Sequence, residues 1–223
     1  MIDEIGLSMT SREMRLEAIA ELKARTGYDE FPRPTAQQGF LHHADLVASV
    51  QAFLGREDFL TLDAGANRIW STFGLRMPYP QQLMVPGGTG IMGWGPPAAL
   101  AAKLVDPSRR VTCLAGDGGF MMTLQVVTTC VQQSADVVFL INNNSGLGMV
   151  RDNLAENRIA VDFEDVDFVR IAEGLGGKGL TVHHPDEIVD ALNEAHKLGG
   201  PVVIDAKVDP NASHHEAVDD APL

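Results

Sequence analysis

Short apolar runs of strand length alternate with amphipathic, helix-length segments along most of this chain. Runs rich in Val, Ile, Leu and Phe predict buried strands at residues 59–63, 111–115, 137–141, 180–182 and 202–206. Between them the pattern predicts helices at residues 44–53, 97–105, 120–133 and 186–198, with a further element at 166–175. Because strands and helices alternate, the predicted fold class is α/β, with a parallel central sheet and helices on both faces.

The two ends of the chain differ from this alternating region. Residues 9–25 predict an amphipathic helix, and residues 27–39, which contain two prolines, predict a linker. We therefore divide the chain into an N-terminal helix and linker at 1–40, a central domain at 41–208 and a polar tail at 209–223, which is expected to be poorly ordered. The apolar positions expected in the helix stripe are Met14, Leu16, Ile19 and Leu22. Those expected in the core around helix 120–133 are Met121, Leu124, Val127, Val131 and Val138.

Two polar segments directly follow two of the predicted strands. Residues 116–119 read Gly-Asp-Gly-Gly, and residues 142–144 read Asn-Asn-Asn, which places Asn144 27 positions after Asp117. Glycines let backbone N–H groups approach phosphate oxygens, whereas a carboxylate repels a diphosphate unless a cation lies between them. An Asn amide as second oxygen ligand implies octahedral Mg²⁺. If the strands are neighbours, both segments meet at one edge of the sheet, so the sequence predicts a metal-diphosphate site.

This pair of segments resembles the Mg²⁺-cofactor motif of the thiamine diphosphate (ThDP) enzymes, in which Gly-Asp-Gly is followed at a similar interval by an Asn pair. The chain looks most like the C-terminal cofactor-binding domain of acetolactate synthase and of related 2-oxoacid decarboxylases and carboligases. The likeness rests on residues 63–65, 87–93, 97–99, 116–120 and 143–150, which follow the family's order. It implies that residues 41–208 form the ThDP- and Mg²⁺-binding domain.

The resemblance also implies a set of site residues. The Mg²⁺ ligands would be the Asp117 carboxylate, the Asn144 amide and the Gly146 carbonyl, with an adjacent asparagine as the alternative to Asn144. The backbone of Gly90 and Met92 would bind the aminopyrimidine ring, and the Met92 side chain would bend the cofactor. Asn67 would either touch the diphosphate or cap a turn. The complete cofactor-binding set is Asn67, Gly90, Met92, Gly116, Asp117, Gly118, Gly119, Asn144, Gly146 and Met149.

The implied function is that of a ThDP- and Mg²⁺-binding subunit of a split 2-oxoacid decarboxylase or carboligase. In the family, a catalytic glutamate comes from a pyrimidine-binding domain that this sequence lacks, so no catalytic residue is expected on this chain. We expect a partner subunit to supply it, in a heteromer with at least two copies of each chain, and a fragment of a longer protein is the alternative.

The product is left open by Asp152 and Asn153, which stand where acetolactate synthases usually carry Gln and Trp. The alternatives are a simple 2-oxoacid decarboxylase of the sulfopyruvate or phosphonopyruvate type, and a non-catalytic ThDP-binding homologue. Residues 88–93 also match the G-x-G-x-x-G dinucleotide fingerprint, but Pro86 disfavours the central strand that the fingerprint requires directly before it.

Composition narrows the classes of partner. The net charge of -13 disfavours binding to nucleic acid or anionic membranes. The longest apolar run has only the length of a strand and no signal peptide is present, so we expect no membrane partner and a cytoplasmic location. The two cysteines, Cys113 and Cys130, lack metal or redox spacing and are expected to be buried free thiols. Three His-His pairs are adjacent in sequence and therefore point apart, which disfavours a shared metal ion.

Overall fold

The computed structural model of the protein describes residues 12–26, 31, 34–79, 82–154 and 158–219. One six-stranded sheet lies in this part of the chain, with every neighbouring pair of strands parallel. The strands are β1 Phe59–Leu62, β2 Leu83–Met84, β3 Val111–Gly116, β4 Val137–Asn143, β5 Lys178–Val182 and β6 Val202–Lys207. Their spatial order is β2-β1-β3-β4-β6-β5. The predicted α/β fold with a parallel central sheet is confirmed.

Helices connect the strands and also begin and end the described chain. They are α1 Arg12–Thr26, α2 His43–Phe53, α3 Ala66–Gly74, α4 Gly95–Val105, α5 Asp117–Thr123, α6 Val126–Gln132, α7 Gly148–Asp152, α8 Phe168–Gly174, α9 Ile188–Leu198 and α10 Glu216–Asp219, with a 3₁₀ turn at Pro185–Glu187. Within the described residues, no helix is long and apolar enough to cross a membrane.

Alternate residues of the central strands enter two separate cores, one on each face of the sheet. In β4, Val138 and Leu140 pack with residues of α2, α3 and α9. Val137, Phe139 and Ile141 pack on the other face with residues of α4, α5, α6 and α8. Side chains of a strand alternate between faces, so a strand buried on both sides reads as an uninterrupted apolar run. The expectation of helices on both faces is confirmed.

The predicted helix at 120–133 is divided in two. The backbone N–H groups of Val127 and Thr128 donate to carbonyls three residues earlier, at 3.1 Å each, so the helix tightens to a 3₁₀ turn between α5 and α6. Val127 and Val138 are buried as predicted. Met121 and Val131 were wrongly placed in the core, because the divided helix leaves each of them 40% exposed. Both cysteines are buried free thiols, as expected.

The ends of the chain depart from the prediction in different ways. α1 is helical, but residues 9–11 and residues 27–30 and 32–33 of the predicted linker lie outside the described residues. The stripe residues Leu16 and Ile19 are exposed. The expectation of a poorly ordered segment from Asp209 is wrong for residues 209–217. Asp209 is buried and accepts hydrogen bonds from the N–H groups of Gln37 and Asn211, at 2.8 and 2.9 Å. A polar composition predicts disorder only where the polar groups have no partners in the protein, and here Asp209 has one nearby at Asn211 and one far along the chain at Gln37.

The order of the strands creates a crevice at the carboxyl ends of β1 and β3. From β1 the chain moves outward through α3 to β2, and then returns through α4 to β3 on the other side of β1. Helices that leave two adjacent strands in opposite directions open a crevice between them, and ligands of open α/β sheets bind at such points.

Candidate functional site

A cleft of about 390 Å³ opens at this crevice and extends across the carboxyl end of β4. Its volume lies in the range of small-molecule sites. The ten cofactor-binding residues predicted from the sequence all line it: Asn67, Gly90, Met92, Gly116, Asp117, Gly118, Gly119, Asn144, Gly146 and Met149. The structure thus brings the whole predicted set together, and their individual roles stay predictions.

Asp117 joins the two halves of the predicted motif. It is the first residue of α5, and its carboxylate accepts the N–H of Gly118 at 2.7 Å and the N–H of Gly146 at 2.9 Å. Burial raises the pKa of Asp117 to about 6, although both backbone hydrogen bonds act in the opposite direction. A carboxylate with a raised pKa is one whose negative charge is incompletely compensated by its surroundings, so a cation beside it would be stabilising.

Asn144 and Gly146 form a tight turn directly after β4. Ser145 between them has a positive φ of 51°, which turns the chain so that both residues line the cleft. The side-chain nitrogen of Asn144 donates to the carbonyl oxygen of Gly146 at 3.0 Å, and its side-chain oxygen accepts from Nη2 of Arg151 at 3.2 Å. For Asn144 to bind a cation at this point, its amide would have to turn over so that the oxygen faces the ion.

The neighbouring asparagines have other partners. Asn143 donates to Asp205 at 2.8 Å, and its side-chain oxygen accepts the N–H of Ser145 at 3.2 Å. Asn142 lines the cleft, but its amide lies within 3.0 Å of Nδ1 of His43. Among the three, Asn144 is therefore the asparagine whose amide contacts Gly146.

Two glycines of the Gly-Asp-Gly-Gly segment are required for different reasons. A Cβ on Gly118 would lie 2.6 Å from Cδ2 of Leu147 and 3.4 Å from Cε of Met92. The absence of a side chain at Gly118 therefore keeps the cleft open between Leu147 and Met92. A Cβ on Gly119 would lie 2.0 Å from Oδ2 of Asp63. Glycine is thus required at position 119 because any side chain would clash with the buried Asp63 carboxylate, independently of a ligand in the cleft.

Asp63 is a positioning residue whose role sequence reasoning missed. It follows β1, is completely buried, and accepts the N–H groups of Gly93, Trp94 and Gly95 at 2.9, 2.9 and 3.0 Å. These bonds hold the segment that follows Met92 against the end of β1. The signal in the sequence is the Asp-Ala-Gly stretch at 63–65, which belongs to the family likeness but by itself gives Asp63 no role.

Asn67 lies in the first turn of α3 and ties two strand ends together. Its amide nitrogen donates to the carbonyls of Asp63 and Leu114, at 3.1 and 3.3 Å, beyond β1 and near the end of β3. Both amide hydrogens are then in use, which leaves only an oxygen for other contacts. The contact between Asn67 and a diphosphate stays a prediction, and it would require the amide to exchange these partners.

Arg151 and His43 support the cleft from behind. Arg151 is buried and donates to Asp162 at 3.0 Å and to the Asn144 carbonyl at 3.4 Å, which fixes the turn that carries Gly146. His43 is also buried, with Nε2 3.3 Å from the carbonyl of Ala212. Burial lowers the pKa of His43 to about 4, so its ring is neutral near pH 7.

The alternatives weighed for these motifs are less well supported. Within the described residues, no three His, Cys, Asp or Glu side chains are grouped as for a metal ion. The strand before the glycine-rich loop is β2, which has two residues and lies at the edge of the sheet. A dinucleotide fingerprint follows a well-formed strand and opens a helix within the first βα unit, which this loop does not do.

Comparison with known proteins identifies the domain. The family model described as thiamine pyrophosphate enzyme, C-terminal TPP binding domain, matches residues 63–206. A probable acetolactate synthase large subunit of Methanococcus aeolicus is 34% identical over 165 residues, which cover 72% of this chain and 28% of that protein. The acetolactate synthase of Bacillus subtilis is 30% identical over 223 residues, which cover 99% of this chain and 39% of that protein.

A solved structure gives the same result. The thiamine diphosphate-dependent 4-hydroxybenzoylformate decarboxylase of Rhodococcus jostii superposes with a TM-score of 0.74 and 25% sequence identity, over 82% of this chain and 36% of that one. The chain thus spans between 28% and 39% of the length of these three proteins.

Proposed function

Since the chain belongs to the thiamine pyrophosphate enzymes, of which it carries the C-terminal cofactor-binding domain, we propose that the cleft holds ThDP through one Mg²⁺. The protein ligands of the ion are Asp117, Asn144 and the carbonyl of Gly146. The observation that carries this proposal is the 2.9 Å hydrogen bond between the Asp117 carboxylate and the N–H of Gly146. It joins the two halves of the motif at the bottom of one cleft.

The donor set fits Mg²⁺ bound to a diphosphate. If the Asn144 amide turned over toward an ion, its side-chain oxygen would lie about 3.0 Å from the carbonyl oxygen of Gly146. Adjacent ligands of an octahedral ion with bonds of about 2.0–2.1 Å are separated by about 2.9 Å. One carboxylate and two neutral oxygens are too few for an all-protein cage, but Mg²⁺ is commonly held by one or two carboxylates together with phosphate oxygens.

Different residues around the ion bind different parts of the cofactor. Gly116 and Gly118 leave room for the diphosphate, the backbone of Gly119 lies beside it, and the backbone of Gly90 and Met92 faces the pyrimidine ring. When bound, ThDP supplies the electron sink that allows a 2-oxoacid to lose CO₂. The protein's part is to hold the cofactor in a reactive shape, and an ordered Met92 loop does so by proximity rather than by acid-base chemistry.

We further propose that this chain works with a partner subunit. No glutamate is among the described residues that line the cleft, which supports an external source for the carboxylic acid that the pyrimidine ring needs. The acetolactate synthase proteins to which the chain is similar are about two and a half times as long, so they have room for further domains. The proposed assembly is a heteromer with at least two copies of each chain. The cytoplasmic location stays a prediction.

An acetolactate synthase-like carboligase is the first candidate for the reaction. A simple 2-oxoacid decarboxylase is the second, and the position of Asp152 favours it. Asp152 accepts the Oγ–H of Ser213 and the N–H of His214, both at 2.9 Å, and neither it nor Asn153 lines the cleft. The acceptor-side residues expected of an acetolactate synthase therefore have no counterpart there. Product analysis of the reconstituted complex, with pyruvate alone and with an added 2-oxoacid or aldehyde acceptor, separates release of aldehyde from carbon-carbon bond formation.

Titration calorimetry tests the cofactor site itself. Wild-type protein should bind ThDP with Mg²⁺ and lose most of that affinity with EDTA, whereas Asp117→Ala should bind equally weakly in both. Asp58→Asn is the matched control, because Asp58 is a buried carboxylate at the opposite end of β1, paired with Arg110. Mg²⁺-dependent binding by Asp117→Ala at the wild-type level would refute the proposal.

A further inference from the structure

Among the described residues that line the cleft, Arg68 is the only arginine or lysine, and its guanidinium is positively charged. The other titratable residues there are His43, which is neutral near pH 7 because burial lowers its pKa to about 4, and Asp117. The chain as a whole carries a net charge of -13. A lone cation facing a cleft in so acidic a protein attracts anions to that place, since low-dielectric walls concentrate its field.

The place of Arg68 in its helix is unfavourable for helix stability. α3 begins at Ala66 after Gly65, which has no side chain to cap the helix, and Arg68 is its third residue. The first turn contains no acidic residue. Because the amino end of a helix carries partial positive charge, a cation there is repelled unless an anion lies nearby. The helix dipole therefore does not account for an arginine at this position.

The guanidinium of Arg68 also differs from other arginines in its partners. Arg151 is paired with Asp162, Arg170 with Asp167, and Arg110 with Asp58. Within the part of the chain that the structure describes, the guanidinium of Arg68 has no hydrogen bond and no ion pair. Its Nη1 lies where it would be 2.9 Å from a Cβ on Gly90, so the side chain reaches across the mouth of the cleft to the glycine-rich loop.

We infer that Arg68 binds an oxyanion of the molecule that occupies the cleft. Its planar, forked donors match a carboxylate or a phosphate group, and both can be bound through two parallel hydrogen bonds. Two sources of this chemistry fit the proposed function, on which the inference rests: the diphosphate of the cofactor and the carboxylate of a 2-oxoacid. In either case Arg68 adds a positive charge that the Mg²⁺ motif does not provide.

The experiment compares Arg68→Gln and Arg68→Lys with wild type by titration calorimetry. Three probes are used: inorganic pyrophosphate in EDTA, ThDP with Mg²⁺, and pyruvate added to protein saturated with Mg²⁺ and ThDP. Loss of a charge-assisted pair of hydrogen bonds should weaken binding about tenfold or more in Arg68→Gln. Arg68→Lys should recover part of the loss, because it keeps the charge but not the fork.

The pattern of losses identifies the source of the anion. Weaker binding of pyrophosphate and ThDP assigns Arg68 to the diphosphate, and weaker binding of pyruvate alone assigns it to the substrate carboxylate. Arg170→Gln is the matched control, because Arg170 is exposed on α8 and its loss changes the net charge equally. Affinities unchanged in Arg68→Gln for all three probes, or lowered as much in Arg170→Gln, would overturn the inference.

The two proposals fail in different ways. If wild type shows no Mg²⁺-dependent binding of ThDP, the cofactor proposal is wrong. The pyrophosphate titration in EDTA needs neither metal nor cofactor, so in that case it still reports on Arg68, and a wild type that does not bind pyrophosphate removes the inference too.

Discussion

Asp63 and Asp117 are two buried carboxylates at the carboxyl ends of neighbouring strands, and their surroundings give them different tasks. Asp63 is completely enclosed and accepts three backbone N–H groups from residues 93–95. Asp117 is 3% exposed, accepts two N–H groups and lines the cleft. The first charge is compensated by the protein alone, whereas the second has lone pairs that still face the cleft.

The difference shows how residue type and burial alone leave function undetermined. Both aspartates follow a strand and lie close to glycines, yet one fixes a loop and the other is suited to a cation. What separates them is how many donors the backbone supplies and whether the remaining oxygen lone pairs can reach a ligand. Hydrogen bonds to the charged form favour it, and burial without them disfavours it.

The largest expected effect is the loss of stability in Asp63→Ala. Removing the carboxylate leaves three buried N–H groups without an acceptor, which should cost about 4 kcal/mol of unfolding free energy. Asp117→Ala exposes its two N–H groups to the cleft, where water can reach them, so it should cost about 1–2 kcal/mol. Urea denaturation of both variants measures the difference. A smaller loss in Asp63→Ala than in Asp117→Ala would reverse the comparison.

The pH dependence of stability should isolate the uncompensated charge of Asp117. Its folded-state pKa, about 6, lies above the ordinary value of 3.8. The protonated carboxyl is therefore favoured in the folded state, and this contribution is complete below about pH 4 and is lost as pH rises through 6. Without metal, the unfolding free energy of wild type relative to Asp117→Asn should fall by about 3 kcal/mol between pH 3 and pH 8. A difference that does not change with pH would contradict the raised pKa.

Alanine at the two glycines should separate the neighbourhoods of the two carboxylates. Gly119→Ala places its Cβ 2.0 Å from Asp63, which has no freedom to move, and should cost about 2–3 kcal/mol. In Gly118→Ala the nearest atom is the end of the Leu147 side chain at 2.6 Å, which can turn aside. We expect a cost of about 1 kcal/mol there, with weaker ThDP binding, because the displaced side chain enters the cleft. Thermal unfolding measures the stability of each variant, and titration with ThDP measures cofactor binding. Equal stability losses in the two variants would mean that the Asp63 side chain moves to make room for the Cβ.

The smallest effect is expected at Asp152, which accepts as many hydrogen bonds as Asp63 but is partly exposed. One of its oxygens accepts from Ser213 Oγ and from the backbone N–H of His214, and lies 2.7 Å from Nδ1 of His214. Water can replace the carboxylate oxygen as acceptor for these donors, so Asp152→Asn should cost only about 1 kcal/mol. Hydrogen exchange should show faster exchange confined to residues 211–217. A loss as large as that of Asp63→Ala would show that the number of donors, and not burial, decides the cost.

The sequence predicted the parts of the cleft that follow long apolar strands. β3 and β4 read as uninterrupted apolar runs, so the sequence alone predicts that Asp117 and Asn144 follow the ends of two strands. β2 has two residues and no apolar run, and α3 begins at Ala66 after Gly65, which has no side chain to cap the helix, so the sequence pattern predicts neither element. The roles of Asp63 and Arg68 depend on contacts with residues 90–95, which no local pattern reveals.

The most direct test of the central claim is a crystal structure of the chain with ThDP and Mn²⁺, an octahedral substitute for Mg²⁺ that gives an anomalous signal. The account predicts one anomalous peak at about 2.0–2.2 Å from the Asp117 carboxylate, the side-chain oxygen of Asn144 and the carbonyl oxygen of Gly146, with diphosphate oxygens completing the shell. A peak elsewhere, or ThDP bound in the cleft without a metal ion at Asp117, would contradict it.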